Sequence, residues 1–150
     1  MTTYISSINA EGEVQTIYRA AAIPVPVEGT DPDFADNTIV HVVGAIADLQ
    51  VFADLHYYSD GEWVGRDPKP AAYYDWKDGA WALDSAALFT LIRQQRDNRL
   101  YASDWTQLAD VNLSDALSSD WADYRLALRS VPADNSGVTS LDEVTWPVAP

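Results

Sequence analysis

The chain contains no cysteine, which excludes disulfide bonds and thiolate metal sites. Basic residues are also scarce, since nine lysines and arginines stand against 23 aspartates and glutamates and give a net charge of −14. A surface this acidic repels a phosphate backbone, so nucleic acid is a poor candidate partner. No apolar run is long enough to span a bilayer, and the first residues lack the features of an export signal. We therefore expect a cytoplasmic protein with no membrane partner.

Apolar and aromatic residues are plentiful. The 150 residues include six tryptophans and eight tyrosines, and 47% of them are hydrophobic. This length is enough to bury a core within one domain, or within a small domain plus an appendage.

The first half of the chain predicts β-structure. Residues 14–27 are rich in β-formers, but two prolines among them favour an edge strand or an extended arm. Residues 29–37 form a turn-rich loop, and the runs 38–43 and 50–58 are predicted strands. A short helix over 45–53 is the alternative for the second run.

One pattern, aromatic-x-Asp-Gly-x-Trp, occurs twice, at residues 58–63 and 76–81. Asp-Gly between β-prone flanks predicts a two-residue hairpin turn, because both central residues need positive φ. Counting outward from each turn pairs Tyr58 with Trp63 and Trp76 with Trp81.

After residue 83 the apolar period changes from 2 to 3.6, which predicts two helices. Asp84 or Ser85 caps the first helix and Ser103-Asp104 ends it, while the second begins at Ser114 and ends at Pro132. The predicted core positions are Leu88, Leu91, Ile92 and Leu100 in the first helix and Leu117, Trp121, Tyr124, Leu128 and Val131 in the second.

These elements predict an α+β fold. Its parts are a small antiparallel β part over 1–83, an antiparallel helical hairpin over 84–131 and an extended tail over 132–150. Trp105 and Leu108 are expected to plug the open end of the helical hairpin. The residues expected to anchor the tail are Val144, Trp146 and Val148.

No catalytic, cofactor or metal site is predicted. Asp31, Asp33 and Asp36 share a loop but lack the remaining ligands of a calcium-binding loop. His41 and His56 lie in apolar strands without a recognisable nucleophile or metal motif, so both are expected to be structural.

Two sets of side chains are candidate partner contacts. Trp63, Trp76 and Trp81 of the hairpins form either a small core or a surface that stacks on sugar rings. Arg93, Arg96 and Arg99 form a basic stripe on the first helix. Asp97 is expected to pair with Arg93, and the rest of the stripe forms a solvated face or meets an acidic partner.

The last third of the chain resembles the phage tail assembly chaperone family. The residues that carry this resemblance are Arg96-Asp97, Arg99-Leu100, Ser103–Leu108, Asp110, Leu113, Trp121, Tyr124-Arg125, Ala127–Arg129, Pro132 and Trp146-Pro147. The family often has prolines where this chain has Ala109 and Asn112. Residues 57–84 show a looser resemblance to phage tail fibre assembly proteins.

The resemblance implies a non-enzymatic protein that helps to build a phage tail. Its implied partner is a tail fibre or another tail protein, and a trimeric fibre would bind up to three copies. It would act in the host cytoplasm and then either leave or stay in the virion. The alternative is a virion component that binds host carbohydrate through Trp63, Trp76 and Trp81.

Overall fold

The computed structural model describes residues 3–19, 29–30, 38–43 and 46–150 of the chain. Small antiparallel sheets come first and packed helices follow, so the predicted α+β class is confirmed. The chain divides into two compact units, residues 1–82 and 83–150, which we call the β unit and the helical unit.

A mixed-length antiparallel sheet opens the β unit. Its strands are β1 (Thr3–Ile8), β2 (Val14–Arg19), β3 (Gly29–Thr30) and β4 (Thr38–Val43), in the order β2-β1-β4-β3. The prediction of an edge strand after residue 14 is confirmed for β2, because β2 pairs only with β1 in this sheet. The sequence does not single out β1, since Ser6 and Ser7 interrupt its apolar pattern, yet both serines are buried.

The predicted strand over residues 50–58 is wrong in its first part, where the alternative of a short helix is correct. Helix α1 spans Leu49–Leu55, and strand β5 follows at His56–Ser59. Asp48 caps α1, because its side chain accepts hydrogen bonds from the backbone N–H groups of Gln50 and Val51 at 2.9 and 3.0 Å. Such a cap outweighs the β-propensity of a short apolar run.

Both Asp-Gly hairpins are confirmed. Strand β5 pairs with β6 (Glu62–Gly65), and β7 (Tyr74–Lys77) pairs with β8 (Ala80–Leu83). In each turn the aspartate has a φ of 51°, and the glycine that follows has a φ of 87° or 78°. Positive φ at both positions defines the turn type that matches the twist of the strands.

The helical unit is built on α2 (Ser85–Ala102) and α3 (Asp115–Asp134). Asp84 and Ser114 cap the two helices as predicted, by accepting from the backbone N–H groups of Ala87 and Leu117. The side chains buried between and around the helices are Leu88, Ile92, Leu128, Val131 and Val144. Leu117, Trp121 and Tyr124 are only half-buried, so this part of the predicted core is less enclosed than expected.

The prediction that Pro132 ends the second helix is wrong. Pro132 lies inside α3, which continues to Asp134. A proline this close to the helix end removes a single hydrogen bond of the last turn. Asn135 then closes the helix, because its backbone N–H and its Nδ2 both donate to the carbonyl of Val131, at 3.1 and 2.8 Å.

The C-terminal segment is more ordered than the predicted extended tail. It contains a short 3₁₀ turn at Leu141–Glu143, and Thr139 donates from its backbone N–H to Glu143 Oε2 at 2.7 Å. Val144 is buried and Trp146 is half-buried, as expected of anchors. Val148 is 90% exposed and is not an anchor.

Candidate partner-binding site

The three hairpin tryptophans pack against side chains of their own unit. Trp63 lies edge-on to Phe52 and Tyr58, with ring centroids 5.1 and 5.2 Å apart. Trp76 is 7% exposed and lies edge-on to Trp81 at 5.0 Å. Rings that cover one another in this way leave little face for stacking on a sugar, so the packing favours a core role.

Arg66 closes this aromatic cluster, and the sequence gives no signal for it. Its guanidinium carbon lies 4.7 Å from the ring centroids of both Trp76 and Trp81. Its Nη1 pairs with Glu13 Oε1 at 2.9 Å, and the Arg66 side chain is only 6% exposed. Nε also donates to the carbonyl of Asp54 at 3.3 Å. Arg66 therefore joins α1, the start of β2 and the second hairpin through one cation.

A cavity of about 560 Å³ opens beside this cluster. Its lining consists of Tyr57, Gly65, Arg66, Asp67, Trp76, Gly79, Ala80 and Trp81. Arg66 binds Glu13 and Trp81 Nε1 donates to the carbonyl of Asp67 at 2.8 Å, whereas the buried Nε1 of Trp76 has no hydrogen-bond partner among the residues that the structure describes. The lining contributes one carboxylate, that of Asp67.

The predicted arginine stripe is largely occupied within the helical unit. Arg99 stacks on Trp146, with its guanidinium carbon 3.9 Å from the ring centroid. Arg96 Nε donates to Asp97 Oδ1 at 2.6 Å, so the expected pairing of Asp97 with Arg93 is wrong. Arg93 is exposed, with its guanidinium carbon 5.8 Å from the ring centroid of Phe89.

Arg125 holds the connector between the helices to α3. Its Nη1 donates to the carbonyl of Leu100 and to Ser103 Oγ at 2.8 and 2.7 Å. Its Nη2 pairs with Asp104 Oδ1 at 2.8 Å. The Ser-Asp and Tyr-Arg pairs of the sequence resemblance are thus joined in space by a buried guanidinium, which explains why the connector needs these residue types.

Trp105 does not plug the end of the hairpin as predicted. It is 46% exposed and lies edge-on to Trp121 at 5.7 Å, while Trp121 lies edge-on to Tyr124 at 5.6 Å. Leu108 is 59% exposed and is not a plug either. The buried residues of the connector are Ser103 and Thr106, and Thr106 Oγ1 donates to the carbonyl of Ser103 at 2.7 Å. Because Thr106 takes the inward position, its apolar neighbours face outward.

Exposed apolar side chains are therefore concentrated at this end of the helical hairpin. Tyr101, Trp105 and Leu108 are 81, 46 and 59% exposed, and we call these three residues the connector patch. The sequence predicted that Trp105 and Leu108 would be covered as plugs of the hairpin, and it gave no role to Tyr101. The available signal was their i, i+4, i+7 spacing, which continues the helical period past the end of α2.

His56 and the acidic side chains that the structure describes do not group into a metal site. His56 stacks on Phe52 at 4.2 Å, and its Nδ1 lies 3.0 Å from the carbonyl of Phe52, so its role is structural. Across residues 3–19, 29–30, 38–43 and 46–150, no three acidic, histidine or cysteine side chains group as metal ligands. Asp31, Asp33, Asp36 and the side chain of His41 lie outside the described part. No described helix is both long and apolar enough to cross a membrane.

Residues 89–150 match the family described as phage tail assembly chaperone protein. The resemblance predicted from the sequence is thereby confirmed for the C-terminal part of the chain. The match covers Arg99, the connector patch, Arg125 and Trp146, and so includes the contacts that hold the helical unit together. No curated protein and no solved structure matches the sequence.

Proposed function

We propose that this protein is an assembly chaperone that binds a tail fibre or another tail protein of a phage and keeps its unfinished apolar surface from aggregating. The observation that carries the proposal is the family match, which indicates a phage tail assembly chaperone. The connector patch supports it, because contiguous exposed apolar side chains mark interaction surfaces. The role is non-enzymatic, and it is exercised in the host cytoplasm during assembly.

The charge of the chain suits this role. Proteins are least soluble when their net charge is near zero. A net charge of −14 keeps this protein, and a complex that contains it, away from that condition. Acidic side chains also repel one another between copies, which favours binding to a different protein over self-association.

The β unit supplies a second means of contact. Strands β7 and β8 form a two-stranded sheet in the part of the chain that the structure describes. An unfinished β-rich fibre can add a strand at such an edge through main-chain hydrogen bonds. In this proposal Trp63 and Trp81 border the contact, Trp76 supports it from the core, and Arg93, Arg96 and Arg99 meet acidic groups elsewhere on the partner. A trimeric fibre would then bind up to three copies, one per subunit.

Co-expression tests the function. The tail fibre subunit, and in parallel each other tail protein of the same phage, is expressed alone, with this chain, or with an unrelated protein of similar size and negative charge. We expect this chain, and not the acidic control, to raise the soluble yield of at least one tail protein. Equal yields with the chain and with the control would mean that charge alone acts and that the chain is no chaperone.

A further inference from the structure

The connector patch has the geometry of a fixed docking surface. Tyr101 lies in the last turn of α2, and Trp105 follows one turn later. Leu108 comes next, its backbone N–H donating to the carbonyl of Trp105 at 3.3 Å. Three of the seven large apolar side chains that are exposed in the described residues therefore fall within eight consecutive positions. The three side chains are spaced four and three positions apart, so they are close together along the chain rather than scattered singly over the surface.

The patch is held in place before any partner arrives. Trp105 is fixed by its edge-on contact with Trp121, and the connector is tied to α3 by the three hydrogen bonds of Arg125 to Leu100, Ser103 and Asp104. A preorganised surface loses little conformational entropy on binding. The exposure of these rings is therefore a stable property of the helical unit.

The chain segment that carries the patch and follows it is acidic. Residues 101–124 contain five aspartates and no lysine, arginine or histidine. These aspartates are Asp104, Asp110, Asp115, Asp120 and Asp123. Asp104 is neutralised by Arg125, whereas the other four make no ion pair with any residue that the structure describes. Asp110 follows Leu108 by two positions, so negative charge borders the patch along the chain, and interactions between exposed charges extend over about 8 Å at physiological ionic strength.

We propose that the connector patch docks a basic amphipathic segment of the tail protein, in which apolar side chains cover Tyr101, Trp105 and Leu108 and flanking lysines or arginines meet the aspartates. Charge complementarity selects this occupant. A second copy of the chain would bring the same four unpaired aspartates into the interface and be repelled. The inference rests on the proposed function, since it names the chemistry of the partner that a chaperone of this kind would hold.

Synthetic peptides of about 14 residues test the surface without any tail protein. The first has leucines and lysines at helical spacing, the second replaces leucine by serine, and the third replaces lysine by glutamate. Binding to the full chain is measured by calorimetry and by amide chemical shifts. We expect binding of the leucine–lysine peptide alone, with shifts centred on Tyr101 and Leu108, and weaker binding as salt is raised.

Matched variants locate the site. Leu108→Asp and Leu126→Asp each add one negative charge at an exposed leucine of the helical unit, but Leu126 lies on α3 outside the patch and is 66% exposed. Leu108→Asp should weaken the leucine–lysine peptide about tenfold, and Leu126→Asp should leave it unchanged. Tyr101→Ser, at an 81% exposed position, should also weaken binding of the leucine–lysine peptide. It keeps the test valid if Leu108→Asp fails to fold.

Several results would overturn the inference. Equal binding of the leucine–lysine and serine–lysine peptides would show that binding depends on charge and not on the apolar patch. Tight binding of the leucine–glutamate peptide would show that the aspartates do not select a basic partner. Equal effects of the two leucine variants would place the site elsewhere. Self-association that Leu108→Asp abolishes would make a second copy the occupant. Each of these outcomes is independent of co-expression, so the surface and the chaperone function can fail separately.

Discussion

At the scale of single residues, two largely buried arginines connect parts of the chain that are far apart in the sequence. Arg66 joins two tryptophans to Glu13 in the β unit, and Arg125 joins α3 to the connector in the helical unit. Buried arginines of this kind contribute when all their partners are present. Removing one leaves carbonyl and hydroxyl groups without a donor, which costs more than the contact itself contributes.

Replacing Arg125 by alanine is therefore expected to destabilise the helical unit by about 2–4 kcal/mol. The loss comes from Ser103 Oγ, which loses this donor, from Asp104, which loses its ion pair, and from the carbonyl of Leu100, which keeps only the donors of Ser103. Chemical denaturation followed by tryptophan fluorescence measures it. Arg129→Ala, four residues on and exposed, is the matched control and should lie within about 0.5 kcal/mol of wild type. Equal midpoints for the two variants would mean that Arg125 does not hold the connector.

Trp121 provides a second test at the scale of single residues. Its spacing with Leu117 and Leu128 predicts a core residue, whereas the structure leaves it half-buried between Trp105 and Tyr124. Trp121→Ala should therefore cost about 2–3 kcal/mol, less than the roughly 3–5 kcal/mol of a fully enclosed tryptophan. The variant should also alter the near-ultraviolet circular dichroism of the helical unit, because Trp105 loses its edge-on partner. An unchanged spectrum and an unchanged midpoint would mean that the two rings are not packed together.

At the scale of elements, the parts that local chemistry dictates were predictable from the sequence. Asp-Gly fixes both hairpin turns, and the caps Asp84 and Ser114 fix both helix starts, because each depends on residues within three positions. Helix α1 was ambiguous, since a short apolar run suits a strand or a helix until its capping is seen. The prediction that Pro132 ends the second helix was wrong for a related reason. A proline near a helix end can be tolerated because only the bond from its own nitrogen to the carbonyl of Leu128 is lost, while Asn135 still donates to the carbonyl of Val131.

The close approach of Gly12 to β5 provides a test of the β unit. Gly12 has a φ of 76°, the backbone N–H of Tyr58 donates to its carbonyl at 2.9 Å, and a Cβ at position 12 would overlap the backbone carbonyl of Tyr58. Gly12→Ala should therefore destabilise the β unit by more than about 2 kcal/mol. Gly61→Ala is the control, because Gly61 has a φ of 87° but faces open space, and only the backbone strain of about 1 kcal/mol applies. Similar thermal shifts for the two variants would show that β5 does not pass close to Gly12.

The candidate site was less predictable than the elements. The sequence pointed to hairpin tryptophans and to arginines, but most of these side chains are engaged by Arg66, Asp97 and Trp146. Which aromatic rings face outward depends on long-range contacts such as that of Arg125 with Ser103, 22 positions away. Periodicity places residues on a face, and only packing decides whether that face is covered.

At the scale of the whole molecule, the family match and the connector patch lie in the helical half, whereas most of the acidic residues lie in the first half. Residues 89–150 carry the match and residues 93–150 carry five of the nine basic residues, whereas residues 1–92 carry 14 of the 23 acidic ones. A chaperone built in this way would hold its partner through the helical unit and use the acidic remainder to keep the complex soluble.

A chain truncated after Leu83 is therefore expected to lose the effect on tail-protein solubility, since it lacks the connector patch and all of the matched residues. The soluble yield of the co-expressed tail protein measures this. If the truncated chain solubilises the tail protein as well as the full chain does, the helical unit is not part of the docking surface.

Complementation of a phage that lacks this gene tests the central claim most directly. Wild type, Leu108→Asp and Leu126→Asp are supplied from a plasmid, and complete tails are counted by electron microscopy together with the infectious titre. We predict incomplete tails and a low titre without the gene, full rescue by wild type and by Leu126→Asp, and poor rescue by Leu108→Asp. Normal tails and titre in the absence of the gene would contradict the account.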